Sequence, residues 1–174
     1  MKMFLGMRVV LIKKALCCLL GLVLLGAAEA AESSQVALDI ALTPVGSFVA
    51  KTQAVTGHVS PKGDLLIATK IEVDLAKLDS GIELRDKHMI DEYFETKKFP
   101  KAVLKSAKGK GGKFIGLLNI RGIDQKIDGT YESVGKTIVA KFKTTLSAFK
   151  IKKANYMGVG VADEVSVTVT LPVK

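Results

Sequence analysis

From Val36 onward, apolar and polar residues alternate along most of the chain. Val36, Leu38, Ile40 and Leu42 share one parity, with Ala37, Asp39 and Ala41 on the other. Leu65, Ile67, Thr69, Ile71, Val73 and Leu75 repeat the pattern against Lys70, Glu72 and Asp74. Near the C-terminus Val165, Val167, Val169, Leu171 and Val173 alternate with Glu164, Ser166, Thr168 and Thr170. A period of two with one apolar face marks antiparallel strands that are wet on one side, because strands of a parallel sheet, buried on both faces, read as continuous apolar runs. Turn signals separate the runs at Pro61-Lys62-Gly63-Asp64, Gly109-Lys110-Gly111-Gly112, Asp128-Gly129 and Gly158-Val159-Gly160. About eight strands fit this template, which predicts a mainly all-β fold, either a sandwich or a closed barrel.

One stretch, LRDKHMIDEYFETKKFP from Leu84 to Pro100, breaks the alternation. Ser80-Gly81-Ile82-Glu83 has the form of a capping box, which starts a helix by satisfying its free amides. Ile82, Met89, Ile90, Tyr93 and Phe94 then recur at helical spacing, and Pro100 stops the helix. The expectation is a short amphipathic insertion at about residues 80–96, its apolar stripe laid against the barrel end or wall as a plug.

The first thirty residues read as a targeting segment. Lys2, Arg8, Lys13 and Lys14 precede the apolar run Ala15 to Gly26, which is too short to span a bilayer, and Ala28-Glu29-Ala30 offers a small-x-small cleavage pattern. A cleaved signal at 1–30 leaves one domain at 31–174, exported to a periplasmic or secreted location. Both cysteines, Cys17 and Cys18, depart with the leader, so the domain depends on its core rather than on a disulfide. Removing four basic residues and Glu29 lowers the formal net charge of +9 by 3, to +6. That surplus is lysine-dominated and lacks the Arg-aromatic face of a nucleic-acid binder; it is compatible with transient contact at a membrane surface and equally with solubility alone. A homodimer is compatible with the pattern as well.

Asp79-Ser80-Gly81, Arg85-Asp86-x-His88-Met89, Phe94, Phe99-Pro100 and Ser106 together resemble the signature of the YceI-like family of lipid- and polyisoprenoid-binding proteins. Leu118-Asn119-Ile120-Arg121-Gly122-Ile123 and Ala162-Asp163-Glu164-Val165 are similar to two further landmarks, in the same order. The family's usual opening is reduced here to Gly46-Ser47-Phe48. The resemblance implies a lipocalin-like barrel of eight antiparallel strands around a long isoprenoid or similar lipid. The strand pattern agrees, since an eight-stranded barrel has an interior that side chains just fill or that holds one slender ligand.

On this reading Phe48, Ile67, Ile71, Met89, Phe94, Phe114, Ile120, Phe142 and Val167 are the candidate lining of an apolar cavity. Ser80, Arg85, Asp86, His88 and Pro100 are structural, with His88 partly buried. Asp86 and His88 stand two apart on a helix and so do not face each other, and no nucleophile motif occurs. His88 with Asp91 or Glu92 has the spacing of two metal ligands, but two ligands do not make a site. The chain is therefore expected to be non-catalytic, without metal or cofactor, and to bind a lipid rather than nucleic acid. The alternative is a ligand-free structural or interaction module with a solidly packed interior. Lys97, Lys98, Lys101, Lys105, Lys108, Lys110 and Lys113 form a lysine run that either steers anionic lipid or keeps a hairpin soluble.

Overall fold

The computed structural model describes residues 34–156 and 158–174; the leader at 1–30 lies outside the described residues. The strands are β1 (Gln35–Thr43), β2 (Ser47–Thr52), β3 (Val55–Thr56), β4 (Val59–Lys62), β5 (Leu65–Asp74), β6 (Lys101–Lys110), β7 (Lys113–Ile120), β8 (Ile123–Val134), β9 (Thr137–Thr145), β10 (Asn155–Tyr156) and β11 (Val159–Pro172). All belong to one antiparallel sheet of 11 strands. The main strands number the eight expected, and the short pieces β3, β4 and β10 add to them.

Strand order in space follows order in the chain: β5 to β9 form a meander, β9 pairs with β11, β11 with β1, and β1 with β2. The barrel is nearly closed because one bent segment turns its corner. Its first part, β2, pairs with β1, while β3 and β4 pair with β5. Gly57 sits in the bend at φ +114°, where a Cβ would come within 2.6 Å of Ile71 Cδ1. The seam is stitched by backbone bonds between Lys51 and Asp79 (2.8 and 2.9 Å) and from Lys174 N to the Val59 carbonyl (2.9 Å).

The inward set follows the sequence pattern on β1 and β11 but not on β5. There Leu66 and Ala68 face inward, then Ile71 and Val73, so Leu65, Ile67 and Thr69 face out. Lys70, at φ +53°, shifts the parity. The same shift occurs on β6, where Ala102 and Leu104 face in, then Ala107 and Gly109, across an irregularity between Leu104 and Ser106. A single interruption of the period of two moves every later side chain to the opposite face. Asp128-Gly129, a turn signal in sequence, lies inside β8, and the reversal comes at Gly135-Lys136 instead.

The insertion is present. A 3-10 turn (Leu75–Lys77), helix α1 (Glu83–His88) and a π turn (Met89–Tyr93) interrupt the strands between β5 and β6. Together with a second 3-10 turn, Ser147–Phe149, this segment covers one end of the barrel. Met89, Phe94, Leu75, Leu78, Phe149 and Ile151 are buried there in one cluster, with Phe149 only 1% exposed.

Candidate functional site

Inside the barrel runs an apolar cavity of about 160 Å³. β5 alone lines it from Leu66 to Val73, a length of about 23 Å at the usual rise of about 3.3 Å per residue. It is therefore elongated along that strand. Its existence traces to small residues at inward positions: Ala68, Ala102, Ala107, Gly109 and Ala140. Ala68 and Ala107 stand directly opposite each other on β5 and β6, so neither strand fills the middle. The polar side-chain groups on the lining are the hydroxyls of Thr144, Thr145 and Tyr131.

Aromatic rings shape the far wall. Phe114 and Phe142 meet edge to face at 6.1 Å, across β8 at Gly129. A Cβ on Gly129 would lie 2.8 Å from the Phe114 ring and 2.8 Å from Phe142 Cβ, so the glycine makes room for the pair. Gly109 does the same for Tyr131, whose ring passes 2.7 Å from where a Cβ would stand.

Of the nine expected lining residues, Ile71, Phe94, Phe114, Ile120, Phe142 and Val167 border the cavity. Ile67 points outward because of the parity shift. Met89 is buried in the plug behind the cavity wall. Phe48 is half-buried outside it, with the Arg85 guanidinium 4.0 Å above its ring. Lining residues that the strand pattern missed, Leu66, Ala68, Ala107 and Gly109 among them, stand beyond the β5 and β6 irregularities or have side chains too small to signal a face.

The polar residues at 79–88 form a latch. Arg85 donates from Nε to the Ser80 hydroxyl (2.7 Å) and from Nη2 to the Ser80 carbonyl (2.8 Å). The Asp86 carboxylate accepts from the Ser80 amide (2.9 Å) and also from its hydroxyl. The expected capping box does not form: the N-cap is Ile82, without a side-chain bond, and Asp86 rather than Glu83 reaches back. His88 is exposed, not partly buried, because its side of the short helix faces away from the plug. The Pro100 carbonyl accepts from Leu75 N (2.9 Å), closing the insertion before β6.

Two other latches join the plug loops. Arg121, at the β7–β8 turn, pairs with Glu95 and donates to the Lys150 carbonyl (2.6 Å). These three residues all sit at positive φ, +53°, +50° and +54° respectively. Asp163 accepts from the Ser147 amide (3.0 Å) and hydroxyl (2.6 Å), and these bonds hold its carboxyl below the ordinary value of 3.8. Burial first, then the charge of Glu92, pushes the Tyr93 phenol above its ordinary value of 10.0.

The lysine run is split by geometry. Lys97 and Lys98 lie at the plug end beside Asp91 (3.6 Å) and Glu95 (3.4 Å). Lys101 pairs with Glu72 (2.6 Å), Lys105 with Asp124 (2.7 Å), and Lys110, at the other end, with Asp64 (2.5 Å). Among the described residues no cluster of His, Cys, Asp and Glu is arranged to hold a metal ion, and no helix is long and apolar enough to cross a membrane.

Known proteins with this architecture are informative. BcnA of Burkholderia cenocepacia superposes with a TM-score of 0.59 at 18% identity, covering 79% of this chain and 94% of that one. A polyisoprenoid-binding domain from Saccharophagus degradans, implicated in plant cell wall breakdown, gives 0.57 at 14% identity, covering 80% and 92%. At these identities the likeness is one of fold. No curated protein matches the sequence. A family model does match, that of the YceI-like domain, over residues 29–173, and by that match the chain belongs to the YceI-like family.

Proposed function

We propose that this protein is an exported, non-catalytic lipid carrier whose interior holds a single long isoprenoid or similar chain. The observation that carries the reading is the interior cavity itself, bordered by β5 from Leu66 to Val73 and lined almost wholly by hydrocarbon. Burial of each methylene there is worth roughly 0.8 kcal/mol, so a long chain is held tightly without any polar contact. The lining offers no carboxylate, imidazole or thiol to act as acid, base or nucleophile. Membership in the YceI-like family and the polyisoprenoid-binding Saccharophagus fold relative point the same way. Export rests on the basic, then apolar, N-terminal sequence and its small-x-small site, with Ala31 as the first residue after cleavage.

Organic extraction of the purified protein followed by mass spectrometry tests the reading. A long-chain lipid near one per polypeptide is the expected result. Recovery of none, together with no uptake of an added long-chain isoprenoid, would leave a ligand-free module.

A further inference from the structure

The two barrel ends differ in charge. At one end lie the β4–β5, β6–β7 and β8–β9 turns and the end of β11. Residues 60–66, 108–115, 132–139 and 172–174 carry Lys62, Lys108, Lys110, Lys113, Lys136 and Lys174 against Asp64 and Glu132, so 6 − 2 gives +4. At the plug end, residues 74–101 carry six basic and seven acidic groups, 119–124 one of each, and 145–164 three and two, so 10 − 10 gives zero. The barrel's basic surplus is gathered at the turn end.

Exposed apolar residues occur at both ends, with Val45 (85%), Ile82 (54%) and Leu84 (65%) at the plug end. Val134 is 55% exposed beside the Gly135-Lys136 reversal, and Ile115, 66% exposed, stands two residues from Lys113. Among the described residues no helix covers the tunnel at the turn end; Val59, Ile138 and Leu171 close it in one buried cluster, with Leu66 and Tyr131 packed against them. The rim is tied together through Val173 N to the Lys136 carbonyl (2.8 Å) and Lys174 N to the Val59 carbonyl (2.9 Å).

We propose that the turn end docks on an anionic phospholipid bilayer, and that lipid passes between bilayer and tunnel through it. Lysines at a bilayer surface gain from its negative potential, and short apolar tips between them reach the headgroup boundary. The docking half stands on charge and geometry alone; the passage half rests on the carrier reading above.

The test is co-sedimentation of the folded protein with two kinds of vesicle, phosphatidylcholine alone and phosphatidylcholine with about one-third phosphatidylglycerol. Two triple variants with equal charge change are compared, Lys62→Glu/Lys113→Glu/Lys174→Glu at the turn end and Lys97→Glu/Lys152→Glu/Lys153→Glu at the plug end. The unaltered protein is expected to bind only the anionic vesicles. The turn-end variant should lose about 100-fold or more in partitioning, the plug-end variant only about threefold. Equal losses in the two variants, or no binding by the unaltered protein, overturn the docking surface. Binding of a soluble fluorescent isoprenoid, measured without vesicles, should be the same in both variants. If the protein docks but binds no isoprenoid, the carrier reading fails while the docking surface stands. If isoprenoid transfer from vesicles is as fast in the turn-end variant as in the unaltered protein, passage through this end is overturned.

Discussion

The two ends of this barrel are made by different means. At the turn end, short hairpins follow directly from strand alternation, and backbone bonds such as Lys174 to Val59 hold the rim. At the plug end, two irregular segments between β5 and β6 and after β9 cover the opening, and side chains add to the backbone bonds, such as Lys51 to Asp79, that hold them. Three latches do so: Arg85 and Asp86 on Ser80, Arg121 on Glu95 and Lys150, and Asp163 on Ser147. All three stretches that resemble the family signature supply a latch, so all three belong to the plug end. The difference teaches that polar residues with the look of a catalytic motif are here spent on satisfying loop backbone. On the carrier reading, binding falls to the alanines and branched aliphatics of the wall.

If the plug is a packed lid, its anchor should matter most. Phe149→Ala is expected to cost about 3–5 kcal/mol, read as a lowered urea midpoint, because the ring is fully buried. A loss below about 1 kcal/mol would mean that the lid is not part of the cooperative fold. Phe94→Ala, in the same cluster and on the tunnel wall, should cost a similar amount and also weaken lipid binding.

Arg121→Ala comes next, at about 2 kcal/mol, since it removes charge-assisted bonds to two loops and leaves Glu95 only its 3.4 Å pair with the exposed Lys98. Hydrogen exchange should report the loss: amides of residues 146–151 are expected to speed up, while those of the turn-end hairpins stay unchanged. Uniform acceleration across the barrel would contradict the division into two separately held ends.

The smallest effect concerns acid. Asp163 is held below its usual range by the bonds from Ser147, Glu72 chiefly by the bond from Lys101, and Asp124 by the bonds from Lys105 and Asn119. A carboxyl with a lowered folded value stabilises above its unfolded value, and loses that contribution as pH falls through the folded value. The urea midpoint should therefore drop below about pH 4, and less steeply in Asp163→Asn. An identical acid profile in that variant would remove Asp163 from the lid. His88→Gln, at an exposed position, should change neither stability nor binding measurably.

How far these features were legible depended on the distance over which they act. The alternation on β1 and β11 named inward residues correctly because nothing interrupts Val165 to Leu171. On β5 the same rule failed at Lys70, since a left-handed backbone residue is invisible to a hydrophobic pattern, and Ile67 was placed inside. The helical spacing of Met89 and Phe94 gave the plug, whereas Ser80 to Glu83 imitated a capping box that Asp86 completes in another way. Gly129 read as a turn because a packing glycine and a turn glycine look alike in one sequence. Arg121 meets partners 26 and 29 residues away, and no periodicity signals such a meeting.

The central claim is that a chain-shaped lipid fills the space left by Ala68 and Ala107. Binding of a fluorescent long-chain isoprenoid to two variants tests it most directly. Ala107→Phe places a ring in the tunnel, while Ile67→Phe places the same ring on the outer face of β5. With urea midpoints confirming that both fold, Ala107→Phe is expected to lose binding at least about tenfold, the equivalent of 1.4 kcal/mol, and Ile67→Phe to keep it. Equal binding by both variants and the unaltered protein would place the ligand outside the barrel and contradict the account.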